Sequence, residues 1–381
     1  MKLLKFLLRY FPPGLALEYT QGGDIKTKMI DLLDLCAGTD IRALAESIKA
    51  AEPVITESVM DQLVETLQKL QTKVCDTSAK RYYKYKTLQT HLLPVTNIAL
   101  DKLGKRCLTG SYDRTCKVWD IDSGTELFTL EGHKNVVYAV SFNNPTSDKI
   151  VTGSFDKTAR IWCSWTGHCL ATLWGHDAEV VVAKFSPTQC KLVTGSIDAT
   201  SKIFNIETGQ ELGTLRGHTA EVIALHYNND GNQIISGSFD GTVNIWDTRT
   251  FVWDVRMNSC LVTLLGHDDE VLDLAFENND KKLATASSDT TARIWDISSN
   301  FQQLALMKGH REEVSKVCFS PNGHQLLTAS LDRTARLWSA DDGSCFQELK
   351  GHTDDVFACA FSYTGDSIIT ASKDNTCTIW R

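Results

Sequence analysis

The sequence predicts an all-β propeller built from seven repeats over residues 84–381, preceded by a small, mainly helical N-terminal region over residues 1–80. Three observations predict it. A histidine recurs ahead of an apolar segment at His91, His133, His176, His218, His267, His310 and His352, in steps of 42, 43, 42, 49, 43 and 42 residues. An aspartate follows in each repeat at a turn: Asp113, Asp156, Asp198, Asp240, Asp289, Asp332 and Asp374. An aromatic then closes a further strand: Trp119, Trp162, Phe204, Trp246, Trp295, Trp338 and Trp380. A fixed period near forty with this internal spacing is the mark of a repeat architecture.

Within each repeat the histidine leads into an inner strand such as VVYAVSF (136–142). A second strand ends in Gly-Ser or Ala-Ser, the Asp turn follows, and a third strand ends on the aromatic. A four-stranded unit of this kind cannot bury both faces alone, so the units stack around an axis. The pattern resembles the WD-repeat family. Cys163, Asn205, Ser339 and Arg381 depart from it, standing where an Asp usually follows the aromatic. The resemblance implies a buried hydrogen-bonded set in each blade, joining His, turn Asp, a strand hydroxyl and Trp. His133, Ser154, Asp156 and Trp162 would form one. His218, Asp240 and Trp246, His310, Asp332 and Trp338, and His352, Asp374 and Trp380 would form others. One histidine per blade argues against metal ligation, since no two can share an ion.

The ring must close, because an open sheet edge invites aggregation. Trp380 and Arg381 finish a third strand, so the last blade needs an outer strand from elsewhere. Residues 84–89, KYKTLQ, stand where outer strands such as ELFTL (126–130) stand in other repeats, and are expected to supply it. The 49-residue step from His218 to His267 holds two Trp-Asp pairs, Trp246-Asp247 and Trp253-Asp254, where one blade needs one. This suggests the remnant of an excised repeat, and residues 250–258 are expected to bulge between blades. Ahead of the repeats, Thr39-Asp40 should cap a helix over 41–51 that Pro53 ends. A second helix to about residue 74 carries Val59, Leu63, Leu67 and Leu70 at helical spacing.

Composition narrows the function. The net charge of −8 argues against nucleic acid as a partner. MKLLKFLLRY (1–10) is too short and too interrupted by Lys5 and Arg9 for a secretory signal, and no stretch is apolar enough to span a membrane. The twelve cysteines fall mostly where small apolar residues belong in strands, as at Cys107, Cys116, Cys318, Cys359 and Cys377, and no paired CxxC motif exists. No nucleophile–base set, HExxH motif or phosphate-cradling loop is present, so neither an enzyme nor a cofactor is expected.

The histidine-bearing and Asp-turn loops should share one face. The third residue after each histidine is expected to point toward the central opening: Pro94, Val136, Glu179, Glu221, Glu270, Glu313 and Asp355, a carboxylate in five consecutive blades. The residue before each turn Asp should rise beside it: Tyr112, Phe155, Ile197, Phe239, Ser288, Leu331 and Lys373. Apolar anchors within an acidic field suit a basic, partly apolar protein segment.

LLRYFPPGLALEY (7–19) and IDLLDL (30–35), joined to blades reading TGSYDRTCKVWD (109–120) and TGSFDKTARIW (152–162), look like the WD-repeat dynein assembly factors of ciliated organisms. Members of that family carry eight repeats, so this chain looks one short. The resemblance implies a monomeric adaptor in the cytoplasm and cilium that links outer-arm dynein to an intraflagellar transport complex subunit. The alternatives are a substrate-recognition propeller of a ubiquitin ligase or chromatin complex, and a structural axonemal component.

Overall fold

A computed structural model describes residues 2–9, 13–21, 24–32, 35, 39–52, 54–74, 81–143, 146–188, 190–247, 260–264, 266–297 and 301–381. The chain divides into two compact units, Met1–Ala79 and Lys80–Arg381.

The N-terminal unit is a three-stranded antiparallel meander, β1 (Lys2–Arg9), β2 (Gly14–Gln21) and β3 (Asp24–Asp31), with two helices, α1 (Ile41–Ala51) and α2 (Met60–Val74). The strands are an addition to the helices read from the sequence. Leu63, Leu67 and Leu70, the apolar stripe of α2, are fully buried against Leu15 and Leu17 of the sheet and Ile41, Ala45 and Ile48 of α1. The stripe is therefore the core of its own unit. Asp40 caps α1, its Oδ1 accepting from the amides of Arg42 (2.9 Å) and Ala43 (3.3 Å). Replacing it orphans these donors, so Asp40→Ala should lower the stability of this unit by about 1 kcal/mol in a urea titration followed by circular dichroism. Pro53 lies outside the described residues, and Glu52 is the C-cap.

Among the described residues the second unit holds seven four-stranded antiparallel sheets. Six are consecutive meanders, with inner strands Val95–Leu100, Val137–Phe142, Val180–Phe185, Val222–Tyr227, Val271–Phe276 and Val314–Phe319 in blades one to six. The seventh joins Val356–Phe361, Ile368–Ser372 and Thr376–Trp380 to β4 (Lys84–Gln89), which pairs antiparallel with the last of these. Tyr83 and Arg381 extend the pairing by exchanging two backbone hydrogen bonds (2.8 and 2.9 Å). Each inner strand neighbours the next, and the seventh neighbours the first, so seven blades complete the ring.

The closing aromatics sit between blades. Trp162 packs on Leu108, Cys116 and Val118 of blade one, and Trp246 on Val182, Val193 and Ile203 of blade three. Each blade thus seals the apolar face of the one before it, which is why the units are stable only as a stack. In blade four, Val243–Asp247 carries Trp246 as its penultimate residue and pairs with Cys260–Leu264. The second Trp-Asp pair, Trp253-Asp254, and the bulge expected over 250–258 lie outside the described residues. Cys107, Cys116, Cys359 and Cys377 are buried and Cys318 is half-buried, all as free thiols. Among the described residues no helix is long and apolar enough to cross a membrane, and no cluster of His, Cys, Asp and Glu could hold a metal ion.

Candidate protein-binding face

The face is built from the loop pair that each blade's hydrogen-bonded set fixes in place. His Nδ1 lies 2.7–3.1 Å from the turn Asp Oδ2 in all seven blades. Its Nε2 lies 2.7–2.8 Å from a strand hydroxyl: Thr109, Thr152, Thr194, Ser236, Thr285, Thr328 or Thr370. In the six blades that carry Trp, the indole N–H donates to that same hydroxyl at 2.7–3.1 Å. The donors then have one consistent order. Indole N–H donates to hydroxyl, hydroxyl to Nε2, and Nδ1–H to carboxylate, which assigns the neutral Nδ1–H tautomer. The bridging hydroxyl in blade two is Thr152, which corrects the placing of Ser154 in that set. Ser154 lies two residues on, beyond a register shift at Gly153, where its hydroxyl accepts from the Asp156 amide and donates to the Asn135 carbonyl (both 3.1 Å).

The turn itself is tightly held. The residue after each Asp has positive φ, between 61° and 75°: Arg114, Lys157, Ala199, Gly241, Thr290, Arg333 and Asn375. Only one of the seven is glycine. The Asp Oδ1 offsets that strain by accepting from the amide and hydroxyl of the next residue, as from Thr158 at 3.0 and 2.6 Å.

Above this scaffold the two expected residue rows meet in pairs. The amide of the residue before each turn Asp donates to the carbonyl of the third residue after the histidine, at 2.9–3.1 Å in all seven blades: Tyr112 to Pro94, Phe155 to Val136, Ile197 to Glu179, Phe239 to Glu221, Ser288 to Glu270, Leu331 to Glu313 and Lys373 to Asp355. Each blade therefore offers one fixed pair of side chains. Tyr112 and Ile197 are exposed, and Phe155, Phe239 and Leu331 are half-buried. Glu179, Glu221 and Glu270 are half-buried and Glu313 is exposed. Burial together with the charges of Asp269, Glu313 and Glu221 raises the Glu270 carboxyl above its usual range, which shows that the acids of blades four to six share one field.

Two expected members are placed differently from the rest. Val136 is buried, only 8% exposed, because an apolar side chain at this position folds inward where a glutamate reaches out. Asp355 is paired with Lys373 Nζ at 3.2 Å, which closes the acid arc at its end. Two features were missed. Tyr138, second in its inner strand, stacks on Phe155 with ring centroids 5.5 Å apart and widens the aromatic surface. The signal was a tyrosine where the other inner strands carry Thr, Val, Ile, Leu, Ser or Phe. An acidic cleft of roughly 370 Å³, lined by Phe239, Asp268, Asp269 and Glu270 among others, opens between blades four and five.

A closed ring of four-stranded blades, each with this hydrogen-bonded set, defines the class: the chain belongs to the WD-repeat β-propellers. The family model described as Nucleolar protein 10-like, N-terminal domain, a β-propeller, matches residues 178–379, and that of the WD domain, G-beta repeat, matches 83–120 and 124–163. Within this class the chain is similar to Dynein assembly factor with WD repeat domains 1 from several vertebrates. Identity is 57% over 149 residues with the Macaca fascicularis protein, 57% over 150 with that of Mus musculus and 53% over 148 with that of Xenopus laevis. Each match covers 39% of this chain and 36% of the relative, so the matched stretch spans about a third of those proteins.

Proposed function

We propose that this chain is a non-catalytic, protein-binding scaffold in the assembly of axonemal dynein, acting in the cytoplasm and cilium as an adaptor between outer-arm dynein and an intraflagellar transport complex subunit. The observation that carries the binding role is the row of fixed pairs on one face, with Tyr112, Phe155, Ile197, Phe239 and Leu331 as apolar anchors beside Glu179, Glu221, Glu270 and Glu313. Identity above 50% to the dynein assembly factors supports the dynein context. A basic, partly apolar segment of the partner fits the face: it would relieve the shared negative field, and its apolar side chains would cover the anchors.

The test is affinity purification of the tagged chain from ciliated cells, alongside the double reversal Glu221→Lys with Glu270→Lys. Neither side chain takes part in the hydrogen-bonded sets, so the fold should persist. Outer-arm dynein subunits should be recovered with the parent chain, and the reversal should weaken their binding by about tenfold or more. Recovery of ubiquitin ligase or chromatin subunits instead would overturn the dynein reading. Unchanged affinity after the reversal would remove the acidic face from it.

A further inference from the structure

The inner strands carry a second, oppositely charged feature along the axis of the ring. Lys184 is the fifth residue of the blade-three inner strand, and His226 is fifth in blade four. The other residues at that position are Ala99, Ser141, Ala275, Cys318 and Ala360, none of them charged. Asp273 and Lys316, third in blades five and six, form an ion pair at 2.8 Å, and the second Asp273 oxygen accepts from the Val317 amide at 3.0 Å. Groups on blades this far apart interact. The charge of Lys316 in blade six bears on Lys184 in blade three, on His226 in blade four and on Tyr138 in blade two. The inner strands of blades three to six neighbour one another in turn around the axis, and Lys184, His226 and Lys316 are half-buried on them, so these residues line the central channel.

The pairing in this channel is incomplete. Asp273 is committed to Lys316. Lys184 has no hydrogen bond or ion pair among the described residues, which leaves one positive charge without a counter-ion. Burial and the Lys316 charge together lower the Lys184 ammonium to about 8, so it remains largely protonated near neutrality. His226 uses Nδ1–H to donate to the Tyr227 carbonyl at 2.9 Å, and its Nε2 has no partner among the described residues. Burial, with Lys184 next, holds its imidazole at about 4, so at neutral pH Nε2 is an acceptor. A cation beside a hydrogen-bond acceptor is complementary to an oxyanion that still carries an O–H group.

The two channel mouths differ. Glu179 precedes the first residue of the strand that bears Lys184, five residues away, or roughly 16 Å along extended backbone. Lys184 and His226, fifth in their strands, therefore lie toward the end of the channel remote from Glu179, Glu221, Glu270 and Glu313.

We propose that the half of the channel remote from the acidic face is a binding site for hydrogen phosphate or the monoanion of a small phosphate monoester, with Lys184 supplying the charge and His226 Nε2 accepting the ligand's O–H. The site requires no contribution from the protein-binding face and stands apart from the dynein reading.

The experiment uses the full chain, reductively methylated with carbon-13 at its lysines and titrated at pH 6, where phosphoserine is about half monoanion, with inorganic phosphate, phosphoserine or acetate. The Lys184 resonance, assigned by its disappearance in Lys184→Met, should shift with inorganic phosphate if the free ion enters, and with phosphoserine if monoesters do. Acetate, which lacks an O–H at this pH, should bind at least tenfold more weakly. Lys184→Met should abolish binding and Lys184→Arg should retain it. His226→Phe should erase the preference for phosphate over acetate. An unmoved Lys184 signal at millimolar concentrations of both phosphates, or affinity unchanged in Lys184→Met, overturns the site. Equal binding of acetate and phosphate by the parent chain overturns the role given to His226.

Discussion

Replacing Thr152 by Val should destabilise the propeller by about 2–6 kcal/mol, because one methyl-for-hydroxyl exchange orphans two buried groups at once. Thr152 is wholly buried, and its oxygen lies 2.7 Å from His133 Nε2 and 2.8 Å from Trp162 Nε1. Val keeps the shape, so the cost comes from the unpaired indole N–H and imidazole nitrogen, about 1–3 kcal/mol each. Blade three provides the control. There Thr194 bonds His176 at 2.8 Å, but the closing aromatic is Phe204, which has no donor. Thr194→Val therefore orphans only the histidine and should cost about half as much. Thr152→Ser should be far milder, since blade four already builds its set on Ser236, with His218 and Trp246 both at 2.7 Å. Urea unfolding followed by tryptophan fluorescence measures all three, because every tryptophan of the chain lies in the repeat unit. Equal losses at Thr152 and Thr194 would show that the shared hydroxyl is not what the blade depends on.

The same comparison explains what could be read in advance. The repeat was legible because each histidine and its turn Asp stand 22 or 23 residues apart, a spacing that the buried pair enforces in every blade. The choice of hydroxyl was not. Thr-Gly-Ser offers two oxygens of the same chemistry, and only the strand register, with its shift at Gly153, decides that Thr152 faces the histidine while Ser154 serves the turn. The acidic row was visible as residue types, but its individual exposures were not. Val136 and Glu179 hold equivalent backbone positions, and chain polarity alone turns one inward and the other out. The strands of the N-terminal unit were hidden for a different reason. Leu15, Leu17 and Tyr19 alternate as a half-buried strand should, but in β1 a register shift between Leu3 and Lys5 breaks the alternation. Lys184, His226, Asp273 and Lys316 are scattered over four repeats, and only the stacking of blades three to six around the axis brings them together.

Acidification should unfold the propeller cooperatively below about pH 4, and the seven turn aspartates set the window. For Asp113, burial raises the carboxyl pKa, but hydrogen bonds from His91 and Thr115 outweigh it and hold the group at about 2. Asp156, Asp198, Asp240, Asp289, Asp332 and Asp374 are lowered by equivalent bonds. A carboxylate whose folded pKa lies below its unfolded value contributes stability that is complete above the unfolded pKa, near 4. That stability is lost as pH falls through the folded value. For Asp113 the difference amounts to roughly 2 kcal/mol, a large share of the ~5–15 kcal/mol total stability of a typical domain, and the other six aspartates add to it in the same direction. Between pH 6.5 and 4 opposing contributions meet. Burial lowers the His267 and His352 imidazoles, so stability falls as the unfolded chain takes up protons there. Burial raises Asp280 to about 6 and also lifts Glu277 and Glu270, so protonating them in the folded state restores stability over the same range. The stability profile should therefore be shallow from pH 7 to about 4 and steep below it. Urea midpoints read from tryptophan fluorescence across pH 7 to 2.5 test this. Asp113→Asn should reduce the steep limb by about one proton's slope and lower the neutral-pH stability. A midpoint that declines evenly from pH 7, or a slope that Asp113→Asn leaves intact, would mean that net-charge repulsion rather than the seven His–Asp pairs governs acid unfolding.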